Sequence, residues 1–272
     1  MRPILIGYFF CILSSSAKSQ SFLSPVSLVY IKTNAYSSQV NDAFSSSTNQ
    51  AALASVKNLS VGFYAERRFM LADLSSYSFA LAVPGSSGSF ALTANFFGSS
   101  AYNESSLGLA YGRKLSKIDV GAQFNYCQFR IEGYGSASTV NVEAGIMLHL
   151  NDQLQTGFHI YNPTRASIGK NEDERLPIIC SFGAGYDVSE KVFIGADIQK
   201  VEDQPVNVNT ALQYAFESKL FARVGVATAT STFYFGAGFF WNGLRIDVTA
   251  SLHPTLGITP GMLLLYSSSG KS

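Results

Sequence analysis

The chain has 272 residues, 14% of them charged, with 21 Phe, 14 Tyr and a net charge of +1. The charged share lies well below the roughly 25% usual in soluble domains, and the near-neutral balance excludes nucleic-acid binding through bulk electrostatics. The length suits one large all-β domain or two small ones, and beyond the N-terminus no apolar run reaches the ~18 residues of a membrane-crossing helix.

Residues 1–19 are predicted to be a secretory signal. Arg2 supplies the positive start, Ile4 to Leu13 the short apolar core, and Ala17-Lys18-Ser19 the small-x-small cleavage site. Cys11 follows Phe10, where a lipid-attachment site requires a small residue. The mature chain then holds Cys127 and Cys180, whose parities put them on opposite strand faces, so no disulfide is expected.

Residues 20–57 are rich in Ser, Asn and Ala and do not sustain an alternation. Ser27 to Ile31 suits a short strand, and Gln50 to Lys57 a two-turn helix after Asn49. The stretch is expected to be a plug or lid. From Asn58 the pattern becomes strand-like. Alternating segments fall at 59–68, 74–83, 89–98, 105–113, 117–130, 139–150, 153–162, 177–187, 191–200, 205–216, 219–228, 231–241, 244–252 and 258–267. Most are of a length that crosses a bilayer as a tilted strand, about 9–11 residues. Connections at 84–88, 114–116, 151–152, 188–190, 217–219 and 242–243 are short. Those between them, at 66–70 onward, 98–104, 132–138, 162–176, 201–205 and 253–260, are longer, with 228–231 the short exception. Short turns on one rim and long loops on the other predict an all-β fold: a transmembrane antiparallel β-barrel of about fourteen strands at 58–267, with a tail at 268–272.

Register follows from the turns. Asn242-Gly243 suits a type I′ hairpin, which sets Trp241 opposite Leu244, Phe240 opposite Arg245 and Gly238 opposite Asp247. The turn after Leu150 sets His149 opposite Gln155, His159 opposite Gly145 and Glu143 opposite Tyr161. The apolar faces then coincide and point to lipid, while the polar and glycine-rich faces line a lumen. Closure satisfies every backbone group in hydrocarbon.

The stretches NQAALASVKNLSVGFYAERRFMLADL, FALAVPGSSGSFALTANFFG and LGLAYGRKL, with YGRKL…VGAQFNY and HPTLGITP downstream, resemble the FadL/PorV-type outer-membrane barrels of Gram-negative bacteria. Small members from bacteria with type IX secretion are the nearest in character. The resemblance implies fourteen strands and an N-terminal hatch carrying an Asn-Pro-Ala-Gly-Leu-like stretch. Asn49, Ala51 and Leu53 match that stretch, and Gln50 stands in place of its proline.

Ionisable residues on the lumenal parity are the places to look for chemistry: Glu66, Asp119, Glu143, His149, His159, Asp197, Arg223, Arg245 and Asp247. Glu143 and His159, one diagonal step apart, can bind a ligand or share a structural hydrogen bond. Phe193, Phe221, Phe240, Met147, Tyr161 and Tyr234 also face inward and can line a ligand pocket or pack the plug. Asp119, Arg223, Arg245 and Asp247, near the short-turn rim, can form an ion network that grips the N-terminal segment. No nucleophile motif, metal spacing or phosphate-binding loop occurs, so no catalytic group, metal or cofactor is expected. The expectation is a monomer in the outer membrane with both termini periplasmic, since an even strand count returns the chain to its starting side. It would pass or bind small hydrophobic molecules. The alternatives are a PorV-like platform for type IX secretion components, with the charged loop from Asn162 to Leu176 (Arg165, Lys170, Glu172, Asp173, Glu174 and Arg175) facing the partner, and a structural barrel without transport.

Overall fold

The computed structural model describes residues 33, 35–38, 41–169, 174–216 and 219–268. The expected signal at 1–19, the strand at Ser27 to Ile31, the charged residues Lys170, Glu172 and Asp173, and the tail beyond Ser268 lie outside the described residues. Fourteen antiparallel strands follow one another: β1 (Ser60–Arg67), β2 (Ser75–Gly85), β3 (Gly88–Gly98), β4 (Tyr102–Leu115), β5 (Ile118–Ile131), β6 (Gly135–His149), β7 (Leu154–Tyr161), β8 (Ile179–Ser189), β9 (Val192–Val201), β10 (Asn207–Ala215), β11 (Leu220–Ala227), β12 (Thr232–Trp241), β13 (Leu244–His253) and β14 (Gly257–Ser267). Each pairs with its sequence neighbours and β1 closes on β14, with Ser60 opposite Ser267.

The register agrees with the reading from the turns. Trp241 faces Leu244, Phe240 faces Arg245 and Gly238 faces Asp247; Glu143 faces Tyr161 and Gly145 faces His159. Asn242 and Gly243 both have positive φ, 47° and 81°, as a type I′ turn demands. The period of two separates the faces sharply. Arg245 and Asp247 are each 2% exposed, and Val248 beside them is 63% exposed. Cys127 is buried inside the barrel while Cys180 pairs with outward-facing Ile160, and both thiols are free.

The long-loop rim departs from the expectation. The connections at 98–104, 132–138 and 253–260 shrink to 99–101, 132–134 and 254–256, and only 68–74 and 162–178 run longer than the five residues 202–206. The reason is pairing. On β4–β6 the outward residues turn polar at Asn103, Ser105, Gln128, Arg130, Ser136 and Ser138, yet the ladder continues unbroken to Tyr102–Ile131 and Ile131–Gly135. A polar outward face above the lipid belt needs no loop, so the strands outrun their apolar pattern.

Candidate functional site: the plugged lumen

The N-terminal segment reaches the lumen from the short-turn rim, where it joins β1. Its expected two-turn helix is a 3-10 helix, Gln50–Ser55, capped by Asn49, whose side chain accepts from the Ala51 N–H at 3.0 Å. Asn49, Ala51 and Leu53 are all fully buried.

The wall is shaped to take this segment. Gly112, Gly121 and Gly145 sit side by side on β4, β5 and β6. Gly157 pairs with Gly183, and Gly185 pairs with Gly195, carrying the track through β7, β8 and β9. A Cβ at Gly112 or Gly121 would overlap the Gln50 backbone, and at Gly145 the Asn49 carboxamide. At Gly183 it would overlap the Tyr36 ring, and at Gly195 it would come within 2.8 Å of the Thr33 Cβ. The plug backbone therefore lies where side chains would otherwise stand. On β2–β4 small inward residues do the same work for larger plug side chains. Ala80, Ala82, Ala91 and Ala110 pack around Phe44, Leu53 and Val56, with Tyr64, Leu263 and Leu265 completing the cluster. Burial of each large side chain contributes about 1.5–3 kcal/mol. Burial also holds the Tyr36 phenol well above its usual pKa, with the nearby charge of Asp197 adding to the shift.

Three polar latches tie plug to wall. Asn49 Nδ2 donates to the Ile146 and Phe158 carbonyls, both at 3.3 Å. Arg245 binds Asp247 at 2.6 Å and reaches Asp42 of the plug at 3.4 Å. Asp187 at the end of β8 takes the Ser37 hydroxyl at 2.8 Å, the Ser38 N–H at 2.8 Å and the Ser38 hydroxyl at 2.6 Å.

Glu143 is the centre of a fourth contact. Its carboxylate accepts from Gln50 Nε2 at 2.7 Å and Asn125 Nδ2 at 2.6 Å, and lies 2.9 Å from His159 Nε2. Asn141 joins the network, accepting from Asn125 at 2.9 Å and donating to the Tyr161 hydroxyl at 2.9 Å. Gln50, the residue in place of the proline, thus reaches a carboxylate of the wall.

The candidate residues do not converge on one pocket. Glu143, His159 and Tyr161 lie together on β6 and β7. Asp197 accepts from Asn209 on β10 at 3.1 Å. Phe193 lies on the same strand and packs over Gly185 and Gly195. Phe221 meets Phe240 in a tilted arrangement at 5.4 Å between ring centres, with the Arg245 guanidinium 4.9 Å from the Phe221 ring. Tyr234 stands half-buried on β12, opposite Gly225 and Ser251. The expected ion network divides in the same way. Asp119 pairs with His149 at 2.6 Å on β5 and β6, far around the wall from the arginines. Arg223 bonds Gln213 at 3.1 Å and lies over Phe221. Arg245 joins Asp247 of the wall to Asp42 of the plug. Sequence reasoning missed Asp42, Asp187, Gln50, Gln123, Asn125 and Asn141. Asp187, Gln123, Asn125 and Asn141 lie on the lumenal parity, but attention to ionisable strand residues passed over neutral amides and over an acid at a strand end. Among the described residues no group of His, Cys, Asp and Glu is placed to hold a metal.

No protein-family model matches the sequence, and no curated protein matches it. Solved structures do. The toluene transporter TodX of Pseudomonas putida superposes with a TM-score of 0.63 at 10% identity, over 87% of this chain and 97% of that one. The monoaromatic hydrocarbon channel CymD gives 0.61 at 11% identity, over 85% and 94%. A Pseudomonas aeruginosa FadL homologue gives 0.55 at 12% identity, over 87% and 96%. The fold of this chain is that of the FadL-type outer-membrane barrels.

Proposed function

We propose that the chain is a plugged passage for small hydrophobic molecules in the outer membrane of a Gram-negative bacterium, acting as a monomer with both termini periplasmic. The observation that carries this reading is the glycine track. A wall cut to the shape of the N-terminal segment suits a segment that seats and leaves as a unit, whereas a structural barrel would fill the same space with its own side chains. The similarity to structures named as a toluene transporter and a monoaromatic hydrocarbon channel supports the choice of cargo. A platform for type IX secretion components would need a broad loop surface, and the described rim carries two connections longer than five residues.

The test is single-channel conductance in planar bilayers, comparing the mature chain with one lacking residues 20–57. Silence from the first and conductance from the second supports the reading. Silence from both, with heat-modifiable folding verified, means that the wall seals itself and overturns it.

A further inference from the structure

Above the plug, the lumen changes character. Gly108 lies four residues along β4 from Gly112, about 13 Å toward the long-loop rim. Around it the inner wall of β2–β5 carries hydroxyls and carboxamides in adjoining positions: Ser78 faces Asn95, Asn95 faces Ser106, Thr93 faces Gly108 and Gly108 faces Asn125. Three polar atoms surround the point where a Gly108 side chain would begin. Thr93 Oγ1 and Asn125 Oδ1 are each 2.5 Å from it and Gln123 Nε2 is 2.6 Å away. Several atoms of this wall are buried without a protein partner: the hydroxyls of Ser78 and Thr93 and the Oε1 of Gln123. Ser78 is 2% exposed, Thr93 3% and Gln123 6%. A buried polar atom without a partner costs about 1–3 kcal/mol, and Thr93 Oγ1 and the Gln123 carboxamide, both beside Gly108, are two such groups that one ligand head can repay.

We propose that this wall, centred on Gly108, binds the neutral hydrogen-bonding head, an alcohol or primary amide, of a small hydrophobic molecule. The inference rests on the passage reading and names the head group of its cargo. The chemistry selects the class. Gln123 Oε1 only accepts, so the ligand must donate, and the Thr93 hydroxyl can donate in return. A carboxylate has no proton to give Gln123 and meets the charge of Glu143 nearby. An ammonium would leave water for a niche whose nearest carboxylate, Glu143, already holds Gln50, Asn125 and His159. A bare hydrocarbon leaves both atoms unpaired.

The test is saturation-transfer NMR on the full mature chain in lipid nanodiscs, with benzyl alcohol, toluene and benzoate as probes and empty nanodiscs to subtract bilayer partitioning. Benzyl alcohol is expected to bind saturably and more tightly than the other two. Thr93→Val, which is isosteric and breaks no protein hydrogen bond, should weaken it roughly five- to tenfold, as one lost hydrogen bond does, and leave toluene unchanged. Gly108→Ala, whose new methyl would crowd Thr93 Oγ1, Asn125 Oδ1 and Gln123 Nε2, should abolish benzyl alcohol binding. The proposal is overturned if benzyl alcohol binds no better than toluene, or if Thr93→Val binds it as the parent does. Should conductance of the truncated chain persist in that case, the passage reading stands and only the head-group assignment falls.

Discussion

Asn49→Ala should loosen the plug by an amount the structure allows to be worked out. The substitution removes an N-cap bond to the Ala51 N–H, worth about 1 kcal/mol. It also removes two donations to strand carbonyls. Those are long, at 3.3 Å, and the ladder alternation set by the Asn162 N–H on the Val142 carbonyl makes Ile146 and Phe158 a hydrogen-bonded pair. Both carbonyls therefore keep a partner, and each lost bond belongs at the low end of the range, about 0.5 kcal/mol. The sum is roughly 2 kcal/mol, a ~30-fold rise in the ratio of open to closed barrels. The assay is maleimide labelling of Ser46→Cys, a plug position fully buried in the seated segment, with Cys127 and Cys180 replaced by Ala. When opening is fast relative to labelling, the labelling rate scales with the open fraction. A change of less than threefold, in a barrel whose truncation does conduct, would refute the assignment of Asn49 as a latch.

Gly145→Ala attacks the same latch from the wall, because its methyl would collide with the Asn49 carboxamide. Labelling of Ser46→Cys should rise beyond the level of Asn49→Ala. Arg245→Met strands the Asp42 and Asp247 carboxylates in a site where the arginine is 2% exposed. Removing one partner of such a buried group costs about 3–5 kcal/mol, seen as a lower temperature for the heat-modifiable shift on gels, and Arg245→Lys should recover only part of it. The parity of the wall itself is checked by thiol chemistry. In the folded barrel Cys127 should resist water-soluble maleimide, Cys180 should react with a lipid-soluble one, and no cross-link should form under oxidation.

The wall was legible in the sequence because its two faces meet opposite solvents. Outward positions in the belt are mostly apolar, with Thr156 and Thr210 among the exceptions, so the alternation at Val140, Val142, Ala144, Ile146 and Leu148 located β6 and, through the turn at Asn151, the Glu143–His159 diagonal. The Asn242-Gly243 turn did the same for β12 and β13. The upper ends of β4 and β6 were not legible, because there the outward face turns polar and the apolar-outward pattern lapses while hydrogen bonding continues. Nor did the plug's helix type or latches show, since a segment of Ser, Asn and Ala carries no period. Its contacts with Glu143, Asp187 and Arg245 join residues far apart in the chain. The ion network was read from height alone, and height does not say which strands are neighbours around a closed wall. Asp119 and Arg245 share a rim and never meet.

What the plug lacks in pattern, the wall supplies. The described residues of the plug could lie against many surfaces, yet the glycines of β4–β9 leave open a path for them, with alanines on β2–β4 widening it where Phe44 and Leu53 pass. The specificity of the seat is written as missing side chains, not as attractive ones. Such a seat is easily filled by mutation and hard to strengthen, and this sets the role of the polar latches. Asn49 reaches from the plug to the wall, and Arg245, Asp187 and Glu143 reach from the wall to a plug backbone or side-chain group. They fix where along the track the segment stops. On this division of labour, a latch substitution shifts the open fraction by tens of times, while a substitution in the track prevents seating altogether. Gln50 belongs to the first class: its reach to Glu143 ties the plug to the wall just below the polar surface around Gly108.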